Sequence, residues 1–296
     1  MTIFIDPPLW PAHGTVFSHL VSDADLAELH RFAAAAGIPE RAFDRDHYDV
    51  PERRYTELVS RGAVEVSGRE LVRLLIGSGL RVPARHRNES LEVALLHRWN
   101  MALPAQEPLG RELLARWGEE HRHYHGRTHL LAVLESLDLL QPDPPRHVVL
   151  AAWFHDAVYD GVAGRDEERS AGLAVAALAQ APVSTDEIAE TARLVRLTAS
   201  HRPEPRDADG ALLCDADLSV LGRAPAGYRR YLTAVRADYA HVSDEDFAVG
   251  RAAVVRRLLS LDPLFHTSTA RRLWLEAAER NLRGELGAAA DPSSPI

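Results

Sequence analysis

The segment H-V-V-L-A-A-W-F-H-D-A-V-Y, residues 147–159, is apolar nearly all round, so it belongs at the centre of a helical core, yet it carries the adjacent pair His155 and Asp156. Polar groups are expensive to bury without partners. Two other apolar runs repeat the problem. H-Y-H-G-R-T-H-L contains His125 and His129, and L-L-C-D-A-D-L-S-V-L-G contains Asp217. Neutral imidazole and carboxylate together suit borderline and hard divalent metals, which makes a metal-dependent hydrolase the leading expectation.

At 296 residues the chain has room for two domains. Hydrophobic residues make up 46% and charged residues 26%, as in ordinary globular proteins. Most of the net charge of −9 falls after residue 88, where 31 acids face 23 arginines. An acidic second half argues against a duplex nucleic acid partner, because phosphate binding needs a basic face. All 34 basic residues are arginine, which reads as the codon bias of a GC-rich bacterial genome. The absence of lysine rules out Schiff-base chemistry and a phosphate-loop lysine. The single cysteine, Cys214, allows neither an intramolecular disulfide nor a cysteine-cluster zinc site, and reads as a small buried residue. No charged-then-apolar leader opens the chain, and no apolar stretch approaches the ~20 residues that span a bilayer. The expectation is a cytoplasmic protein without a membrane partner.

Residues 1–85 read as a small α/β domain. Thr2–Asp6 predicts a short strand stopped by Pro7-Pro8, and Ser22 predicts the N-cap of a helix reaching Ala36. A helix is expected from Pro51 to Gly62, a strand over 63–66, and a helix opened by a Ser67/Glu70 capping box. Residues 82–90, V-P-A-R-H-R-N-E-S, read as a linker. Residues 90–286 read as an all-α domain, so the chain is α+β overall. Helices are expected over 130–140, 147–159, 166–181, 184–200, 225–241, 243–261 and 267–286, with 287–296 a frayed tail.

On this arrangement His125 falls at the first turn of a helix and His129 just inside it. The Q-P-D-P-P turn folds the His155 helix back as an antiparallel neighbour, and Asp217 closes the site from a later helix. Taken singly, each has a plain alternative: a hydrogen-bonded core histidine, or a helix cap for Asp217 and Asp215. The joint order H, then H-D, then D weighs against those alternatives.

These segments resemble the HD superfamily of metal-dependent phosphohydrolases. R-H-Y-H-G-R-T-H-L, A-W-F-H-D-A-V-Y-D, D-E-E-R-S-A and D-A-D-L-S-V-L-G are similar to a bacterial branch of predicted HD phosphohydrolases, over residues ~90–286. More distantly, Tyr124–His129 and Ala216–Ser219 match the Y-H-x-x-x-H and A-D-L-S segments of cyclic nucleotide phosphodiesterases. The resemblance implies that His129, His155, Asp156 and Asp217 bind a divalent metal ion, with Mn, Mg, Zn, Fe, Co and Ni all in range. It makes His125 the acid that protonates the leaving oxygen, and Asp156 a bridge if two ions bind. The substrate class it implies is a small phosphorylated molecule, nucleotides among them.

Arg122 and Arg127 flank the histidines and are candidates to hold phosphate, or are surface arginines. Glu168 either orients a ligand histidine or belongs to an acidic first helical turn. Asp160 ends the pocket or a helix, and His201 is a ligand to a second metal or a surface residue. The additional histidine pair of dinuclear HD proteins is missing, which weighs against an HD-type di-iron oxygenase. A regulatory module that binds metal or nucleotide with little turnover is the other alternative. In the first domain, I-D-P-P-x-W-P-x-x-G, S-H-L-V-S-D, E-L-H and H-Y-D-V-P resemble a small bacterial family of unknown function. Asp6, His19, Asp23, His30, His47 and Asp49 fall within it as a second polar or metal-binding site, with helix caps and turn residues the alternative for Asp23 and Asp49.

Overall fold

The computed structural model describes residues 2–12, 15–44, 46–78, 80, 91–162 and 164–290. The expected linker over 82–90 and the last six residues of the expected tail lie outside the described residues; residues 287–290 continue the final helix. The chain forms two compact units. One holds the described residues up to 80 together with Gln141–Asp143, and the other holds Leu91–Leu140 and the chain from Pro144 onward.

The first unit is a small mixed sheet with helices. Its strands are β1 (Ile3–Ile5), β2 (Trp10–Ala12), β3 (Thr15–Ser22), β4 (Phe43–Asp44), β5 (His47–Pro51) and β6 (Val64–Glu65). The order is β4-β5-β3-β1-β6, with β2 also paired to β3. Pairing is antiparallel except between β1 and β6. Pro7-Pro8 ends β1, because proline donates no ladder hydrogen bond. Register then sorts the side chains by face. Leu20 lies opposite both Ile5 and Tyr48. Those three pack on Leu29 and Ala33 of α1 (Leu26–Ala35) and Leu58 of α2 (Tyr55–Ser60). Val21, one residue on, points to the other face and packs with Phe4 on Leu71 and Leu75 of α3 (Gly68–Gly77).

Two expectations shift here. Asp25, rather than Ser22, caps α1, accepting a hydrogen bond from the Glu28 amide at 2.7 Å. Ser22 is the buried end of β3, and its hydroxyl accepts from the Ala24 amide while donating to Glu28. The helix expected from Pro51 begins at Tyr55, because Val50 and Pro51 are paired to β3. The capping hydrogen bond from the Glu70 amide to Ser67 is present at 3.2 Å.

The described second unit is helical. It comprises α4 (Leu91–Ala102), α5 (Glu107–Arg116), α6 (Arg127–Leu140), α7 (Arg146–Phe154), α8 (Arg165–Leu178), α9 (Thr185–Leu197) and α10 (Ala208–Asp217), followed by a 3-10 turn over Leu218–Gly222. Then come α11 (Pro225–Asp238), α12 (Asp244–Leu259), α13 (Ser268–Ala270) and α14 (Glu276–Ala290), the last two joined by a π turn. Helix α7 is central, packing on α4, α6, α8, α9 and α10, with Leu150 through Phe154 sealed from solvent. A second cluster, built on Val255, Phe265, Ala278 and Leu282, packs α12 and α14 together.

Helix α7 stops five residues before the expected Tyr159. Other groups claim the backbone there. The Arg122 guanidinium donates to the carbonyls of Asp156 and Ala157, and the Ser170 hydroxyl accepts from the Val158 amide at 3.0 Å. Among the described residues no helix is long and apolar enough to cross a membrane.

Packing around α7 sets a first prediction. A Cβ at Gly110 on α5 would lie 2.4 Å from the Trp99 ring, which is fully buried and tied by its indole N–H to the Gln106 carbonyl at 2.7 Å. Gly110→Val therefore lowers stability by about 1–3 kcal/mol in urea unfolding, as overpacking does. Gly172→Val on α8, where nothing lies within 4 Å of the added Cβ, leaves the midpoint nearly unchanged.

Candidate metal centre

Three helix ends bring the centre together. His129 stands in the first turn of α6, His155 caps the C-terminus of α7 with Asp156 just beyond, and Asp217 is the last residue of α10. The C-terminal ends of α7 and α10 carry the negative ends of their helix dipoles, which favours a cation between them. His129, His155 and Asp217 present atoms that all lie within 4.8 Å of one another. His129 Nε2 is 3.2 Å from His155 Nε2 and 3.0 Å from Asp217 Oδ1. Asp156 joins from the side of the histidines, its Oδ2 3.3 Å from His155 Nε2 and 3.8 Å from His129 Nε2. Metal bonds of ~2.1 Å place neighbouring ligand atoms about 3.0–3.4 Å apart, close to the spacing among the His129, His155 and Asp217 atoms.

The tautomer of His155 is set locally. Its Nδ1 donates to the Ala152 carbonyl at 2.9 Å, the i−3 bond of a helix end, which leaves Nε2 for the centre. Electrostatics point the same way. Burial disfavours a charged His155, yet the carboxylates of Asp156 and Asp217 outweigh it and raise its pKa to about 9. Burial also disfavours ionised Asp156 and Asp217, but the adjacent His155 cation holds both carboxyls below their ordinary range. His129 is lowered by its burial. The two carboxylates thus favour positive charge at the cluster, from a proton on His155 or from a cation.

His125 precedes α6 and lines the same cavity, with its ring 6.0 Å from that of His129. Its Nδ1 is 2.7 Å from Asp238 Oδ2 at the end of α11, and the ring stacks on Tyr159 at 4.1 Å. Asp238 also accepts from the amides of Tyr124 and His125, so one buried carboxylate fixes both the loop and the ring. No motif in the sequence marks Asp238; it is an ordinary acid in the last turn of a helix. His201 is drawn in as well, its Nε2 2.8 Å from Asp217 Oδ2, and is only 12% exposed. His201, which the sequence offers as a second-metal ligand or a surface residue, is the hydrogen-bond partner of Asp217.

Other candidates sit elsewhere. The Arg122 side chain is fully buried and bonded to backbone carbonyls and Glu119, so it braces the H-D turn and has no free face for phosphate. Arg127 donates to the Leu114 carbonyl and packs against Gly118. Glu168 is exposed and pairs with Arg196 on α9. Asp160 pairs with Arg169. Cys214 is buried, and Asp215 accepts from the amides of His266 and Thr267, tying α10 to the start of α13. Two arginines without any motif, Arg251 and Arg257, do line the cavity, which encloses ≈ 450 Å³.

Residues 3–78 match a family model described as a protein of unknown function, DUF4031. The match covers the first unit, in keeping with the resemblance of its I-D-P-P and H-Y-D-V-P segments, and includes none of the residues of this centre. No curated protein and no solved structure matches the chain.

Metal binding should register as stability. At a free concentration 100 times Kd, a divalent ion that binds only the folded chain adds ~2.7 kcal/mol, seen as a rise of several degrees in the melting of the helical unit. Asp217→Ala, which removes the carboxylate between the two histidines, abolishes that rise in a Mn²⁺ titration followed by calorimetry.

Proposed function

We propose that the helical unit hydrolyses a small phosphoester, nucleotides being the leading class, in a centre of the HD type. What carries this reading is the grouping of His129, His155 and Asp217, with Asp156 beside both histidines, in a tyrosine-lined cavity. Bound there, a divalent ion would supply activation of water and neutralisation of phosphoryl charge.

The chain's own residues cover the remaining work. His125 has Nδ1 held by Asp238, so Nε2 is the position from which a proton passes to a departing oxygen. Arg257, exposed at the cavity with one guanidinium nitrogen on the Ala199 carbonyl, is the better placed of its two arginines to meet a phosphate. Arg251 has its guanidinium engaged by Glu285 and the Tyr231 hydroxyl. Tyr124, Tyr231 and Tyr239 add apolar walls with polar tips that suit a nucleoside or another flat group. A cavity of ≈ 450 Å³ lies within the range of small-molecule sites.

The donor set also bears on the alternatives. Among the described residues the donors here are His129, His155 and Asp217 with Asp156 beside them and His201 bonded to Asp217, a set that weighs against a di-iron oxygenase. A regulatory module that binds without turnover shares the same donors, and activity separates it from the enzyme.

The test begins with metal content and phosphate release from a panel of nucleotides and phosphomonoesters, with Asp156→Ala run beside the parent. The expected outcome is that the variant carries one equivalent of metal less than the parent and releases no phosphate. Equal metal in both proteins refutes the ligand assignment, and bound metal without turnover on the panel favours the regulatory module. The leaving group tests His125. His125→Ala slows hydrolysis of alkyl phosphoesters by about 10²–10⁴-fold but leaves 4-nitrophenyl esters, whose leaving group needs no proton, far less affected. Asp238→Asn shows the same selectivity at smaller amplitude.

A further inference from the structure

The first unit contains a second constellation of histidines and carboxylates. Along β5, residues two apart share a face, so His47 and Asp49 project together while Tyr48 and Val50 enter the core. The β3–β5 register places His19 directly opposite Asp49, which brings the three side chains onto one face. His47 Nε2 lies 3.3 Å from Asp49 Oδ1, and His19 Nε2 lies 3.9 Å from the same oxygen. One ligand atom from each falls within 4.8 Å of the others, and the histidine rings are 5.0 Å apart.

The remaining ring nitrogens are also accounted for. His19 Nδ1 is 3.0 Å from Asp6 Oδ2, and His47 Nδ1 is 2.6 Å from Asp46 Oδ1. Both carboxylates are buried, at 2% and 0% exposure. Asp6 is itself fixed by the His19 amide and by the Trp10 indole N–H at 3.1 Å. A buried carboxylate on Nδ1 that turns Nε2 towards a shared point is the arrangement found behind metal-binding histidines. Each ring here has one.

We propose that His19, His47 and Asp49 bind a first-row transition-metal ion of the Zn²⁺ or Co²⁺ class in an open three-ligand site. Two imidazoles and one carboxylate select such an ion over Mg²⁺ or Ca²⁺, which favour all-oxygen surroundings. Filling both nitrogens of each ring with protons would set two imidazolium rings 5.0 Å apart. One divalent ion with neutral rings satisfies the same carboxylates without that repulsion. Asp49 is 47% exposed, so the site opens on solvent and leaves room for water or a small anionic ligand in the fourth position. His30 and Asp23 lie outside this group. His30 bonds the Tyr48 hydroxyl, and Asp23 accepts from the Thr2 amide.

The site stands independently of the helical centre, and the experiment keeps the two apart. Co²⁺ is titrated into the full chain carrying Asp156→Ala and Asp217→Ala, with binding read by calorimetry and by visible d–d absorption. One equivalent binds, and adding either His19→Gln or His47→Gln removes both the heat and the absorption while circular dichroism stays that of the parent. Asp46→Asn keeps the stoichiometry and weakens affinity by about 10–100-fold, as loss of an orienting carboxylate does. Absence of Co²⁺ binding in the double-alanine chain overturns the proposal. So does binding that both glutamine variants leave unchanged. Failure of the helical centre alone would appear differently, as equal metal binding by the parent and the double-alanine chain, with the histidine dependence intact.

Discussion

Two carboxylates and two imidazoles cannot be buried at converging helix ends unless positive charge is buried with them. Asp156 and Asp217 stand at the C-terminal ends of α7 and α10, where the backbone dipoles already leave negative potential. The charge they require comes from a proton on His155 or from a cation in its place. Losing one member of such a buried set leaves uncompensated charge and costs several kcal/mol, much more than an exposed ion pair. The second unit is arranged around meeting that requirement.

Residues far apart in the chain hold the arrangement in place. Arg122 takes the carbonyls that would otherwise prolong α7, so the H-D pair lies in a turn at the helix end instead of along its side. Asp238, more than a hundred residues after His125, holds its loop and its ring. His201 secures the outer oxygen of Asp217. The first unit uses related chemistry on a sheet: Asp6 and Asp46 hold Nδ1 of two histidines while strand register assembles the Nε2 atoms. In both units carboxylates orient imidazoles, and the fold decides what the imidazoles face.

Much of this was legible in the chain because its physical basis is local. The apolar run over 147–159 marked the central helix, the Ser67 and Ser184 caps marked the starts of α3 and α9, and Pro7-Pro8 ended β1. Strands β3 and β5 were harder to read. Each alternates core residues with histidine or aspartate, and polar residues on a buried or half-buried face obscure the period of two. The arginines show the same boundary. Arg122 and Arg127 adjoin the histidines in sequence, yet their guanidinium groups serve the backbone, whereas Arg251 and Arg257 line the cavity with no motif to mark them.

The order of residues names the groups that must find partners: an apolar helix containing His155 and Asp156, and apolar runs containing His129 and Asp217, each call for polar contacts in the fold. It also determined that the chain is a small α/β unit followed by helices, since capping, periodicity and proline act within a few residues. The folded chain sets the distances among those groups, the end of α7 at Phe154, and the recruitment of Asp238, His201 and Arg122. It alone also set His19 opposite Asp49, because that pairing depends on strand register. The reason is range: propensity and periodicity act along the chain, whereas hydrogen bonds and Coulomb interactions between helix ends or strands depend on where distant segments meet.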